Sequence, residues 1–206
     1  MPDPTQTVFI VDDDPSVLAS VERLLRASGY AVESFSSASD FLAQRPPQAK
    51  GCVVADLQMP GMDGLAMQEA LAQSAAPMPV VFWSGRGDIP ASVRAMRNGA
   101  EDFLSKTAPK EDLFAAIERA LARDDIERVE RARTSELRAR FARLTPRENE
   151  VLAHVLRGKL NKQIAASLGI DERSVKRHRT SLMRKLSVSS VVDLTRIAIL
   201  VGFDIE

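Results

Sequence analysis

Five short apolar runs, separated by stretches of helical spacing, dominate residues 1–120: "VFIV" (8–11), "AVESF" (31–35), "CVVA" (52–55), "VVFW" (80–83) and "DFLS" (102–105). Most are apolar almost throughout, which suits strands buried on both faces. Strand followed by helix, repeated, predicts a parallel sheet covered by helices on each side. Val17, Leu18, Val21, Leu24 and Leu25 form one face of a helix entered by Asp14 as N-cap and Pro15 at its first position. Leu65, Ala66 and Leu71, then Val93 and Met96, mark two later helices.

In such sheets, sites form beyond the carboxyl ends of the strands. The first run ends in Asp12 and Asp13, the third in Asp56, the fourth in Ser84 and the fifth in Lys106. A charge that finishes an apolar strand is costly unless it finds a partner, so these ends predict a crevice where three carboxylates, a hydroxyl and an ammonium converge. Crowded carboxylates repel unless a cation intervenes, and an all-oxygen cluster suits a hard divalent ion, Mg2+ or its substitute Mn2+. Asp14 is read as a cap only. Gly61 and Gly64 are expected to be turn residues with positive φ. Cys52, the sole cysteine, reads as a packed core thiol that cannot form a disulfide within the chain.

The formal net charge of zero hides an asymmetry. Residues 1–120 carry 10 Lys and Arg against 16 Asp and Glu, whereas residues 121–206 carry 18 against 12. An acidic half joined to a basic half suggests different partners, with nucleic acid a candidate for the second and a solvated basic face the alternative. From Lys110 to Ala142 there is no Gly or Pro. Leu113, Phe114, Ile117 and Leu121 give this stretch a packing face, after which apolar residues thin among charges. One helix running on into an exposed linker is expected; two helices broken near Asp124 and Asp125 are the alternative.

"LTPRENEVL" (144–152) opens a helix with Thr145 as N-cap, Pro146 at the first position and Glu148 reaching back in a capping box. "NKQIAASLGI" (161–170) gives a short helix that Gly169 terminates, with Ile170 packing behind it. "DERSVKRHRTSLMRKL" (171–186) gives a third, capped by Asp171. Val175, Leu182 and Leu186 lie on one side of it, while Lys176, Arg177, Thr180 and Arg184 project from another. A last helix near 191–201 shows Val191, Leu194, Ile197 and Ala198 on one face. Two short helices joined by a glycine turn, the second basic on its outer side, form a helix-turn-helix that fits the major groove of DNA. His154 and His178 have no second ligand at metal spacing, so no zinc site is expected.

"VDDD", "DLQMPGMDG", the "SG" after the fourth strand and the lysine after the fifth resemble the receiver domain of bacterial response regulators. "LTPRENEVL", "NKQIA" with "LGI", and "SVKRHRTSLMRKL" resemble the LuxR-type helix-turn-helix, and the two together resemble the NarL/FixJ type of two-component response regulator. The resemblance implies a flavodoxin-like, doubly wound, five-stranded α/β receiver over 1–122, a helical linker over 123–141 and an all-α DNA-binding domain over 142–206. It implies that Asp56 accepts a phosphoryl group from a sensor histidine kinase, that Asp12, Asp13, Asp56 and the backbone carbonyl of Gln58 bind the metal, and that Lys106 neutralises charge. By the same resemblance Ser84 would act as the switch hydroxyl and Phe103 as the ring that fills the space Ser84 vacates; a plain core phenylalanine is the alternative for Phe103. By position within the motif Lys176, Arg177 and Thr180 would face bases, and Lys162, Ser174, His178, Arg179 and Arg184 would contact the backbone, with a partly buried structural role the alternative for His178.

The resemblance implies a transcription regulator, not an enzyme, that forms a homodimer on phosphorylation, binds double-stranded promoter DNA and engages RNA polymerase. Two departures matter. Thr107 follows the lysine where the family has a cis proline, and a non-proline cis bond costs about 3 kcal/mol, so the reach of Lys106 stays open. Trp83 places a large ring next to the switch. A rival reading built on these departures makes the receiver a protein-interaction module indifferent to phosphate. A flavin-binding domain or a phosphatase is disfavoured, because no phosphate-cradling loop follows the first strand. "MPDPTQ" lacks the basic and apolar regions of a signal peptide and no run is long enough to cross a membrane, so a cytoplasmic protein with no membrane partner is expected. "RGD" at 86–88 copies an adhesion tripeptide and is read as coincidence.

Overall fold

The computed structural model of the chain describes residues 6–85 and 89–203, so the tripeptide at 86–88 lies outside the described residues. In the first half, strands β1 (Thr7–Val11), β2 (Ala31–Phe35), β3 (Gly51–Ala55), β4 (Val80–Ser84) and β5 (Asp102–Ser105) alternate with helices. These are α1 (Pro15–Ala27), α2 (Ala38–Gln44), α3 (Gly64–Ala72), α4 (Ile89–Arg97) and α5 (Lys110–Phe141). The strands form one parallel sheet in the order β2-β1-β3-β4-β5. The chain leaves β1 first to one side and then to the other, so a crevice opens at the carboxyl ends of β1 and β3.

Successive residues of a strand face opposite sides. Val8 and Ile10, Cys52 and Val54, and Val81 join Val21, Leu25, Leu113 and Ile117 of α1 and α5 in one core layer. Phe9 and Val11, Val53 and Ala55, and Phe82 join Phe41, Met67 and Leu71 of α2 and α3 in the other. This two-sided burial explains why the runs are apolar throughout. Cys52 is fully buried, as expected of a core thiol.

Local signals act as the sequence predicts at several helix ends. Asp14 accepts from the amides of Ser16 and Val17 with Pro15 in the first turn of α1. Thr145 and Glu148 complete a capping box at α6 (Pro146–Leu156), and Asp171 caps α8 (Glu172–Leu186). Gly169 ends α7 (Asn161–Leu168) in the left-handed region, φ 63°.

Two helices leave apolar residues exposed. α4 buries Ala91 and Ala95, while Val93 and Met96 are 43% and 47% exposed. Small residues let the helix lie close to its neighbours, and the apolar pair faces outward. In α9 (Val191–Val201), Leu194, Ile197 and Ala198 are buried as expected but Val191 is 40% exposed.

α5 runs unbroken through Asp124 and Asp125. The fully buried Asp124 turns back to the sheet, where its carboxylate accepts the Gly51 amide at 3.0 Å. The Arg128 guanidinium donates to the carbonyls of Ala49 at 2.9 Å and Gln48 at 3.4 Å. The helix is continuous as expected, and Asp124 and Arg128 form a clasp on the amino-terminal rim of β3. The chain divides into two compact units, Met1–Arg128 and Val129–Glu206. The second has its own core of Leu137, Val151, Leu152, Ile164, Val175, Leu182, Leu186 and Leu194. Among the described residues, no helix is long and apolar enough to cross a membrane.

Candidate functional site

The sheet itself assembles the first site. β1 and β3 run in register, Val11 beside Ala55, and the Asp56 amide donates to the Val11 carbonyl at 2.9 Å. Asp12 and Asp56 are thereby neighbours one residue past the strand ends. β4 and β5 pair Ser84 with Ser105, and the Lys106 amide donates to the Ser84 carbonyl at 2.9 Å. The alternation carries Asp12, Asp56 and Lys106 onto the α1/α5 side of the sheet and Ser84 onto the other.

The side chains then meet. Lys106 Nζ lies 2.6 Å from Asp12 Oδ2 and 3.0 Å from Asp56 Oδ2. Ser84 Oγ donates to Asp56 Oδ1 at 2.7 Å, and the Leu57 amide donates to the same oxygen at 2.6 Å. Asp12 is buried, Asp56 half-buried and Asp13 exposed, and one carboxylate oxygen from each lies within 4.8 Å of the others. Burial raises the Asp12 pKa despite the hydrogen bonds from Lys106 and the Asp14 amide. For Lys106 burial acts the other way, but the bonds to Asp12 and Asp56 outweigh it and hold the ammonium charged above its ordinary range.

Three carboxylates and one ammonium leave two formal negative charges uncompensated. The donors are all hard oxygens, clustered at the open end of a crevice, with one exposed member that leaves room for retained water. That set fits Mg2+, or Mn2+ in its place, and does not fit a soft metal. Gln58 is exposed in the loop two residues past Asp56. Leu57 and Met59 anchor that loop in the core.

The turn after β5 needs no cis bond: among the described residues no peptide is cis. Ser105 Oγ lies 2.7 Å from Thr107 Oγ1 and accepts the Thr107 amide at 3.2 Å, closing the turn with side chains. Lys106 reaches both carboxylates with Thr107 in place. Phe103 is half-buried against Phe82, ring centroids 6.0 Å apart. Gly61 has the expected positive φ, 80°, but Gly64 does not belong to that class. Gly64 is the first residue of α3, and a Cβ there would lie 2.4 Å from the Asp56 carbonyl oxygen. Close approach, not a left-handed backbone, requires this glycine.

The second site lies on α7 and α8. Val175, Leu182 and Leu186 are buried, while Lys176, Arg177, Thr180 and Arg184 are exposed, as is Lys162 on α7. Ser174, His178 and Arg179 are half-buried. Ser174 Oγ donates to Asp171 Oδ2 at 2.7 Å, and Thr180 Oγ1 donates to the Lys176 carbonyl at 3.0 Å. Arg179 Nη1 donates to Asn161 Oδ1 at 2.8 Å, so Arg179 ties α8 to the start of α7. Behind this face, Lys185 Nζ lies 2.6 Å from the buried Glu148 Oε2. Neither Asn161 nor Lys185 is singled out by sequence reasoning, because their partners lie 18 and 37 residues away.

Comparison with known proteins gives two family matches: the response regulator receiver domain over residues 8–118, and the bacterial regulatory proteins of the luxR family over 142–198. The chain is 44% identical over 197 residues to the response regulator protein TodT of Pseudomonas putida, covering 96% of this chain and 87% of that one. It is 38% identical over 195 residues to the transcriptional regulatory protein FixJ of Azorhizobium caulinodans, covering 95% and 92%. The solved structure of the response regulator StyR superposes with a TM-score of 0.78 at 45% identity, covering 95% of this chain and 98% of that one.

Proposed function

The chain belongs to the two-component response regulators that join a receiver domain to a LuxR-type DNA-binding module, and from that premise we propose that Asp56 is the phosphoacceptor through which a sensor histidine kinase controls binding to promoter DNA. One observation carries the reading: both oxygens of the Asp56 carboxylate are already engaged by groups suited to a phosphoryl adduct, Ser84 on Oδ1 and Lys106 on Oδ2.

An Asp56 oxygen attacks phosphorus, a P–O bond forms, the P–N bond of the donor phosphohistidine breaks, and the departing imidazole takes a proton from solvent. Asp12, Asp13, Asp56 and the Gln58 carbonyl would hold Mg2+ or Mn2+, which when bound supplies neutralisation of the phosphoryl oxygens. Lys106 contributes fixed positive charge within hydrogen-bond reach of Asp56. Ser84 transfers its hydroxyl bond to a phosphoryl oxygen, and Phe103 turns into the vacated space. The chain is not an enzyme in the usual sense. Its catalysis is confined to its own phosphorylation and dephosphorylation.

The domain division at 1–122, 123–141 and 142–206 belongs to this reading, as does a cytoplasmic location. The phosphorylated receiver forms a homodimer through α4 and β5, with the exposed Val93 and Met96 on the contact face. That pairing sets two α8 helices on half-sites about one duplex turn apart. Lys176, Arg177 and Thr180 then face bases. Lys162, His178 and Arg184 meet phosphates, with Ser174 and Arg179 beside them, and the bound dimer engages RNA polymerase. The rival in which the receiver ignores phosphate loses its main support, since Thr107 does not keep Lys106 from the carboxylates.

Intact-mass spectrometry after incubation with acetyl phosphate and Mg2+ tests the assignment. The wild type gains about 80 Da, one phosphoryl group, and Asp56→Asn gains nothing. A wild type without the gain, or a gain that persists in Asp56→Asn, overturns it.

A further inference from the structure

Among the described residues the Lys106 ammonium contacts Asp12 Oδ2 at 2.6 Å, Asp56 Oδ2 at 3.0 Å and the ring of Trp83, over whose centroid it stands at 6.0 Å. One of those carboxylates is the group that reacts. A lysine head is a strongly hydrated point charge on a flexible stem, so something other than Asp56 must keep it at the pocket while Asp56 changes its chemistry.

The backbone does part of this. The Lys106 amide is tied to the Ser84 carbonyl, and the turn beyond it is closed by Ser105 and Thr107. These bonds fix the Lys106 Cα, and Asp12 holds the ammonium from one side. Trp83 acts on the side chain from another. It pairs with Leu104 across β4 and β5, and by the period of two Trp83, Leu104 and Lys106 share the α1/α5 side of the sheet. The ring is half-buried, packed on the core that holds Val81, Leu113 and Ile117, so its position is set from below. Its face carries the negative part of the ring quadrupole, which attracts the ammonium.

We infer that Trp83 is a positioning residue for phosphoryl transfer: its ring face holds the Lys106 ammonium at the pocket independently of the charge on Asp56. The inference rests on the reading of Asp56 as phosphoacceptor. Trp83 touches neither donor nor phosphoryl group and works only through Lys106.

The test uses the full chain as wild type, Trp83→Phe, Trp83→Leu, Lys106→Met and the double variant Trp83→Leu/Lys106→Met. Leucine keeps apolar bulk on the core and removes the ring face; phenylalanine keeps a ring face. Initial rates of mass gain with acetyl phosphate and Mg2+ are expected to fall about threefold in Trp83→Leu, to stay within about 1.5-fold of wild type in Trp83→Phe, and to be no lower in the double variant than in Lys106→Met. A second readout needs neither donor nor metal. Trp83 is the only tryptophan, so its emission belongs to this site alone and is expected to change in intensity between wild type and Lys106→Met. Equal rates for wild type and Trp83→Leu, a further loss in the double variant, or an emission spectrum indifferent to Lys106→Met overturns the role of Trp83. A wild type that gains no mass overturns the phosphoacceptor reading itself, and the positioning role with it.

Discussion

Lys185→Met is expected to destabilise the DNA-binding unit while leaving the receiver intact. Lys185 Nζ sits 2.6 Å from Glu148 Oε2 and 3.1 Å from the Arg143 carbonyl, and the Glu148 side chain is 4% exposed. Burial pushes the Glu148 carboxyl up, but hydrogen bonds from Lys185, the Thr145 amide and Ser181 outweigh it and hold the group at about 2, against an ordinary 4.5. At about 1.4 kcal/mol per pH unit, that depression is worth roughly 3 kcal/mol at neutral pH. The methionine variant leaves the buried carboxylate with only its Thr145 and Ser181 bonds and is expected to cost up to about that much, a large part of the roughly 5–10 kcal/mol such a small unit has in total. Because the folded value lies below the unfolded one, the wild-type contribution is complete above about pH 4.5 and drains away as pH falls toward 2. Urea unfolding of the full chain separates the two units: Trp83 emission reports the receiver, and far-UV circular dichroism reports both. The dichroism transition of the second unit shifts to lower urea in Lys185→Met and in wild type at pH 3, with the emission midpoint of the variant unmoved at pH 7. A loss under about 0.5 kcal/mol in the variant would refute the buried-pair argument.

Asp124→Ala strips the buried acceptor from the Gly51 amide and is expected to cost about 1–3 kcal/mol of receiver stability by the Trp83 emission midpoint; a change within error shows the clasp to be idle. Gly64→Ala puts a methyl 2.4 Å from the Asp56 carbonyl oxygen, so the loop must shift and the rate of mass gain fall at least tenfold, whereas an unchanged rate shows that the loop can yield without moving Asp56. Arg177→Ala, exposed on α8, is expected to weaken binding to a selected duplex about 10- to 100-fold and to relax preference at one base pair. A uniform loss across all duplexes would instead make Arg177 a phosphate contact.

The strands were legible because a two-sided parallel sheet demands continuous apolar runs, and each run's last residues then identify the crevice without further information. That is why Asp12, Asp56, Ser84 and Lys106 meet as the sequence predicts. α4 was legible as a helix but not in its orientation: Val93 and Met96 satisfy the helical period, and only the packing of Ala91 and Ala95 reveals that the small residues face inward. The role of Asp124 was not legible, because its partner, Gly51, is 73 residues distant and offers no local signal. Gly64 carries the residue type of a turn, but the constraint on it is an atom of Asp56 that only the folded loop brings near.

The proposed dependence of α8's affinity for DNA on charge added at Asp56 is read by fluorescence anisotropy on a duplex selected from random sequence by the acetyl-phosphate-treated wild type, with and without the phosphodonor, at fixed salt and Mg2+. Binding is expected to tighten on phosphodonor addition for the wild type and to stay unchanged for Asp56→Asn. Equal tightening in both proteins, or none in a wild type shown by mass to be phosphorylated, would contradict that dependence.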